Sequence, residues 1–582
     1  MSRYYKRGWI TPAKANYRPR LLLASTVSLT AVTFAVSANA DGDPQDIDLR
    51  RESAQMTVET DGCSPALPAL LSLAEDSRQA EDYIRAAECA IEAGNAELAA
   101  DQLWQAVLYR HQLDDQRRAY VFRSMGYQAE AAGQFSRASI GWTEAARLSG
   151  EAADQLMAAR AARLDGRAQA ASAQLQRINA ETLTGGSLAL YFEERGLALG
   201  DSQPAAAAAY LGQAIAVEDR AYRRFQRGLF LQQAGDERAA LAEFRTALQS
   251  EPRNVDVLLS TAYSAQRVGD PGLAADLFAR VLEIDPSRTQ VQEDRGYALL
   301  AADREDDAAA AFRAAILDPA PRAGETDAER SDRIYRLRRQ VEQIERTTYG
   351  FVFASYRDGS TATGLNLPET GPNETQIGGE FGWRPDALNT ANTGLTLFGR
   401  AYVSADPGTI TLNEDTLQLG VGARWKPFGD HDFYLAGERM IAGGDLARDA
   451  WLLRASYGWS DGLDWNPNEA SWNYTTVFAD LAYIPDDPEF LSAYASVRQG
   501  RRFRTGDRWT VTPYITGVAQ WSDDTFQERE RLEVGPGVVF SHWFDESEAV
   551  APRQRLDLEM EYRFGVGDTD DEAFIARAVW HF

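Results

Sequence analysis

Along residues 555–564 the apolar residues Leu556, Leu558, Met560, Tyr562 and Phe564 alternate with Asp557, Glu559, Glu561 and Arg563. A period of two sends the two sets to opposite faces of a β-strand, so the segment predicts a strand with one oily and one charged face. The rhythm returns in Phe574, Ala576, Ala578, Trp580 and Phe582, and upstream in Leu417, Leu419, Val421, Ala423 and Trp425 and in Trp451, Leu453, Ala455, Tyr457 and Trp459. Strands are expected near 350–357, 375–384, 394–403, 415–425, 432–440, 450–459, 474–484, 490–503, 508–521, 531–544, 554–564 and 573–582. Pro427-Phe428-Gly429-Asp430 and Pro485-Asp486-Asp487-Pro488 are among the turn signals between them.

About twelve strands, an even number each long enough to cross at a tilt, predict a closed antiparallel transmembrane β-barrel over 349–582. Apolar residues then meet lipid, with Trp383, Trp425, Trp459, Trp509 and Trp521 near strand ends at the interfaces. Glu380, Arg400, Arg424, Glu438, Arg454, Asp480, Arg498, Asp557, Glu559, Glu561, Arg563 and Arg577 fall on the other face and are expected in the lumen. Mixed signs there read as a ladder of paired charges that stiffens the barrel; a binding site is the alternative. The last strand, ending on an aromatic residue, resembles the closing strand of bacterial outer-membrane barrels.

From 63 to 322 the period is helical, and Ala, Leu, Gln, Glu and Arg dominate. Gly228, Ala240, Phe244, Ala247 and Pro252 recur thirty-four residues on as Ala262, Ala274, Phe278, Val281 and Pro286, and again as Gly296, Ala308, Phe312 and Ala315, with Pro319 one place early. This is the tetratricopeptide pattern: small residues let paired helices approach, the phenylalanine packs, and proline ends the second helix. Weaker copies predict about six or seven helix pairs, an α-solenoid whose groove binds peptides, protein segments or a passing polymer, or which serves as a rigid spacer. The span 323–348 reads as a helical connector, with Ile334, Leu337, Val341 and Ile344 on one face.

Residues 1–40 predict a signal peptide: Arg3, Lys6, Arg7, Lys14, Arg18 and Arg20 without an acid, an apolar run over 21–36, and Ala38-Asn39-Ala40 as cleavage site. An uncleaved anchor is the other reading of that run. Residues 41–62 are polar and acidic and predict a flexible lead-in. In the oxidising compartment a leader implies, Cys63 and Cys89 are expected to form a disulfide, with two buried thiols as the alternative.

The motifs Arg424-Trp425-Lys426-Pro427-Phe428, DAWLLRASYGWSDGLDW over 449–465 and APRQRLDLEMEYRF over 551–564 resemble the C-terminal domain of the bacteriophage adsorption protein A family (NfrA). The resemblance covers about the last 235 residues, and the preceding repeats match the family's layout. It implies an outer-membrane barrel with periplasmic repeats, acting beside an inner-membrane glycosyltransferase in exopolysaccharide export and used by a phage as receptor. It carries no catalytic residue set.

With 60 Lys and Arg against 86 Asp and Glu, the net charge of −26 argues against nucleic acid as a partner. Four scattered histidines and two cysteines give no metal framework, and no phosphate loop, His-Glu-x-x-His or Gly-x-Ser-x-Gly elbow occurs. No cofactor and no enzyme activity are expected. The cluster Asp568, Asp570, Asp571 and Glu572 reads as a solvated loop, with a divalent cation as the alternative. Transport of a saccharide polymer is the leading expectation. A barrel that only anchors a periplasmic binding scaffold, without a conducting pore, is the alternative.

Overall fold

Helices occupy the described chain as far as Glu345, and strands follow from Thr348. The computed structural model describes residues 44–319, 322, 324–358, 375–385, 388, 394–405, 410–428, 431–486, 489–524, 528–567 and 572–582. The expected leader and its cleavage site lie outside them, as do Gly429, Asp430, Asp487, Pro488, Asp568, Asp570 and Asp571. The chain divides into two compact units, one ending at Gly269 and one running from Asp270 to Phe582.

The first unit holds α1 (Pro44–Asp61), α2 (Cys63–Ser77), α3 (Ala80–Glu92), α4 (Ala96–Leu108), α5 (Asp115–Ala131), α6 (Phe135–Ser149), α7 (Ala152–Leu164), α8 (Ala168–Leu175), α9 (Gly185–Leu199), α10 (Pro204–Val217), α11 (Ala221–Gln233), α12 (Glu237–Ser250) and α13 (Val255–Val268). Each helix packs on the next. Small residues set the spacing: a Cβ at Gly228 of α11 would lie 2.4 Å from the Phe244 ring of α12, and one at Gly126 of α5 2.7 Å from the Trp142 indole of α6. Ala240, Phe244 and Ala262 are fully buried, and Pro252 follows the end of α12.

Ion pairs tie alternate helices together at a fixed interval. Arg51 pairs with Asp82, Arg123 with Asp154 and Arg163 with Glu194, each thirty-one residues apart. Asp82 also accepts from Ser77 and Asp154 from Ser149, so one Arg-Asp-Ser set recurs after about seventy residues. Burial pushes the Asp82 carboxyl up, but hydrogen bonds from Arg51 and Ser77 outweigh it and hold it below the usual range.

Of the lead-in expected over 41–62, residues 44–61 are instead the helix α1. Its polar composition hides three anchors: Ala54 is buried with Cys63, Ala66 and Leu70, Arg51 reaches Asp82, and Arg50 reaches Asp76 at 2.9 Å. Tertiary contacts supply what its weak amphipathic pattern lacks. Cys63 and Cys89 are disulfide-bonded, fastening α2 to α3.

The second unit opens with α14 (Pro271–Ile284), α15 (Val291–Ala301), α16 (Glu305–Leu317) and α17 (Asp327–Glu345). The repeat packing recurs, since a Cβ at Gly296 of α15 would lie 2.5 Å from the Phe312 ring of α16, with Ala274, Phe278, Ala308 and Phe312 fully buried and Pro286 beyond the end of α14. A capping box starts α17, with Thr326 and Glu329 satisfying each other's backbone N–H groups.

Twelve antiparallel strands then close on themselves: β1 (Thr348–Arg357), β2 (Gln376–Trp383), β3 (Gly394–Ser404), β4 (Gln418–Lys426), β5 (Asp432–Ala442), β6 (Ala450–Asp461), β7 (Ser471–Ile484), β8 (Phe490–Gly506), β9 (Trp509–Asp524), β10 (Glu528–Phe544), β11 (Gln554–Gly565) and β12 (Glu572–His581). Neighbours in sequence pair throughout, and β12 returns to β1 with Phe353 opposite Val579. Gly350 and Phe582 exchange backbone hydrogen bonds of 2.8 and 2.9 Å, and a Cβ at Gly350 would strike the Phe582 ring at 2.4 Å. Only glycine leaves room there.

Candidate functional site

The barrel wall keeps the period read from the sequence. Leu419, Val421, Trp425, Trp451, Leu453, Leu558, Met560 and Trp580 stand exposed on the outside, while the residues between them turn inward. An exposed apolar belt of this extent, with Trp383, Trp425, Trp459 and Trp509 on its rim, is chemistry for lipid rather than for water.

Of the twelve charged residues assigned to that face, eight are at most 8% exposed, and Arg424, Arg498, Asp557 and Arg577 are half-buried. They pair with one another and with inward hydroxyls from strand to strand, and Glu380 and Arg400 stand opposite each other across β2 and β3. Glu380 accepts from the Tyr349 hydroxyl at 2.7 Å and from Arg424 at 3.1 Å. Arg400 Nε donates to Glu438 at 2.8 Å, and Arg454 pairs with Asp480 at 2.9 Å. The largest group joins Arg498 to Glu559 at 2.7 Å and to Glu561 at 2.8 Å, with Arg577 on Glu559 and the Tyr514 hydroxyl on Glu561 at 2.7 Å. Arg563 bridges Glu561 to Glu533, and Glu533 holds Arg357 at 2.7 Å. Asp557 stands apart, with Arg555 at 2.9 Å and His581 at 3.3 Å.

Sequence reading missed Glu533, Arg357, Arg502 and Tyr514. Glu533 and Arg357 carry the signal, since each keeps the inward phase of its strand, but both fall toward strand ends where alternation is short. A buried carboxylate or guanidinium costs several kcal/mol in desolvation, so these groups persist because each finds an opposite charge or hydroxyl. Arg502 is the exception. It is 1% exposed, donates to Thr512 at 2.9 Å and to the Leu463 carbonyl, lies over the rings of Tyr474 and Trp543 at 4.9 and 5.3 Å, and among the described residues has no carboxylate in ion-pair reach.

The end of the barrel where β1 starts and β12 finishes, the near end, carries α17. Tyr335 packs on Trp465, Trp472 and Trp543. Arg338 donates to Glu546 at 3.0 Å and to the carbonyls of Ser547 and Val550 at 2.7 and 2.8 Å. Arg339 meets Asp464 at 2.9 Å, and Glu345 holds both Arg553 of the β10–β11 turn and Arg313 of α16. A groove of about 760 Å³ runs beside this contact, lined by Arg330, Tyr335, Trp465, Arg508 and Glu546. At the start of α17, the Arg333 guanidinium brings the Glu325 carboxyl down to about 2.

Toward the far end, Met440, Ala450, Leu452, Ala482, Ile484 and Phe490 of β5–β8 form one buried apolar cluster, while Arg357, Glu533 and Arg563 keep that end ionic on the other side. The near end is thus rich in buried aromatic residues, and the far end carries ionic and aliphatic side chains together. Among the described residues no group of three or more His, Cys, Asp or Glu is arranged to hold a metal.

Residues 410–578 match the family model described as Bacteriophage N adsorption protein A C-term. Over 547 residues the chain is 24% identical to Bacteriophage adsorption protein A of Escherichia coli (strain K12), covering 88% of this chain and 52% of that protein. The chain thus spans about half the length of the curated relative it matches. Among solved structures it is similar to YrrB, a TPR protein with an unusual peptide-binding site, at 18% identity over 34% of this chain and 99% of that one, with a TM-score of 0.28. It is also similar to a tetratricopeptide repeat protein from Parabacteroides merdae ATCC 43184, at 16% identity over 42% and 94%, with a TM-score of 0.30. The resemblance to the bacteriophage adsorption protein A family, read first from the motifs, holds in these matches.

Proposed function

We propose that this protein is an outer-membrane barrel that presents its far-end loops at the cell surface and holds a tetratricopeptide scaffold in the periplasm. A leader over 1–40 delivers it there, the repeats over 63–322 recruit a periplasmic or inner-membrane partner, and 323–348 joins them to the barrel. The observation that carries this reading is the closed cylinder with lipid-compatible residues outside and charges paired inside, an arrangement that leaves no backbone edge in hydrocarbon. Surface loops on such a barrel suit adsorption of a phage, the activity named in the relative.

The exopolysaccharide-export reading, with a glycosyltransferase as partner, requires a path through the lumen. The packed interior supports a barrel at rest in a closed state, and an anchor without a standing pore is the simpler assignment. The contact of α17 with the near end is the feature that favours export, because it gives the repeats a handle on the lumen. Membrane fractionation of the full chain, followed by planar-bilayer recording, tests both. Recovery in the outer membrane with a silent bilayer supports the anchored receptor, and steady conductance supports export. Recovery in the soluble periplasmic fraction overturns both.

A further inference from the structure

The turn at 462–470, between β6 and β7, does not lie across the rim but folds inward. Gly462 makes this possible: its φ is +72°, and any Cβ would fall 1.7 Å from the Asn473 carbonyl oxygen. Beyond it the Leu463 side chain packs against Tyr474 and the inward residues Tyr514 and Val539, and the Leu463 carbonyl accepts from the buried Arg502. Trp465 then sits between Trp543 and Trp472, with ring centroids 5.5 and 6.4 Å away, and the Trp472 indole donates back to the Gly462 carbonyl at 2.9 Å.

The barrel holds the turn through the Gly462, Leu463 and Pro467 carbonyls, which accept from Trp472, Arg502 and Arg504, and by aromatic faces; α17 holds it by charge. Arg339 pairs with Asp464, Asp332 with Asn468, and Tyr335 covers the tryptophans. The same helix is bound to α16 through Glu345 and Arg313. Any displacement of the repeat-bearing helices is thus delivered to the turn's outer attachments, while its inner contacts are ones that a swing of a few residues breaks.

We propose that the 462–470 turn is a stopper seated in the near mouth of the barrel and latched there by α17, so that displacing this helix opens the lumen from that end. The proposal rests on the membrane-barrel reading above and adds to it a coupling between the helices and the lumen, carried by a two-position element that both sides bias.

The test uses the full chain in lipid vesicles with a reporter cysteine at Val539→Cys, directly beneath Leu463, and a membrane-impermeant maleimide. The native cysteines are tied in a disulfide and stay silent. Tyr335→Ala with Arg338→Ala should raise the labelling rate at Val539→Cys by about tenfold, as expected where removing a latch shifts a closed state toward an open one. Arg339→Ala with Asn468→Ala removes the two polar ties of α17 to the turn but leaves Tyr335 over the tryptophans, and should raise it by a smaller factor, which keeps the test valid where the first variant fails to fold. Heat-dependent gel mobility identifies the folded barrels. Equal rates in parent and folded latch variants overturn the stopper. A companion Leu453→Cys variant separates the two readings: rapid labelling there overturns the membrane barrel itself, whereas protection there with unchanged labelling at Val539→Cys overturns the latch alone.

Discussion

Leu453 and Arg454 are neighbours on β6 that face opposite ways, one 50% exposed outside and the other 8% exposed inside, so substituting each in turn probes both faces of one strand. Leu453→Arg puts a charge on the belt between Trp451 and Trp459. A charge on the lipid face costs about 2 to 4 kcal/mol at the midplane and less toward the interfaces, and Leu453 lies nearer Trp451, so the lower figure applies. Arg454→Leu acts by another route. Asp480, buried on β7, loses the guanidinium 2.9 Å away, and breaking a buried pair from one side costs about 3 to 5 kcal/mol. Polarity alone would rank the lumen substitution as harmless; the pairing makes it the more damaging one. The double variant Arg454→Leu with Asp480→Leu removes both charges and should recover most of the loss, giving a coupling energy of about 2 to 3 kcal/mol in a double-mutant cycle. Urea titration in phospholipid vesicles, read by tryptophan fluorescence, measures each value. If Arg454→Leu matched the parent and Leu453→Arg cost nothing in vesicles, the assignment of faces would be refuted.

In the helical part, Phe244→Ala opens a cavity against Gly228 and should cost about 3 to 5 kcal/mol in urea unfolding of the first unit. Reducing the Cys63–Cys89 bridge releases a loop closed across 26 residues and should lower the stability of the same unit by about 3 kcal/mol, measured with and without reductant. Glu325 is held below its ordinary value of 4.5, at about 2, so its pairing with Arg333 stabilises the fold above 4.5 and is lost as pH falls toward about 2. Arg333→Met should remove that part of the acid transition, and an acid titration unchanged by the substitution would contradict it. Truncating the anchoring residue in Arg338→Ala, with its three acceptors at Glu546, Ser547 and Val550, should loosen α17 from the barrel and raise protease cleavage near the connector.

The wall of the barrel was legible because a period of two survives in any strand whose faces meet different media. The expected runs overlap all twelve strands, with errors of a few residues at ends such as β8, which continues from Phe503 to Gly506. The repeats were legible because Gly228, Phe244 and their copies answer one steric demand at a fixed interval. Pairing inside the barrel was not, since which strands bring Arg357 to Glu533 or Arg498 to Glu559 depends on register and stagger around the cylinder rather than on local pattern. Helix α1 was missed because its hold on the fold lies in a few residues, Ala54 and Arg51 chief among them, within a polar run. The inward turn at 462–470 hid for a related reason: Asp-Gly-Leu-Asp-Trp reads as an ordinary connection until the mouth it fills is known.

Gly350 and Phe582 meet across the join between β1 and β12 although more than two hundred residues separate them in the chain. Every other strand pair forms between sequence neighbours, so this contact has the greatest loop-closure entropy to overcome and forms after the rest. Until it does, the nascent sheet carries two bare margins whose amides will pair with any strand offered, including those of another copy. A chain held apart from its own copies until this seam shuts is therefore safer than one left to close in a crowd.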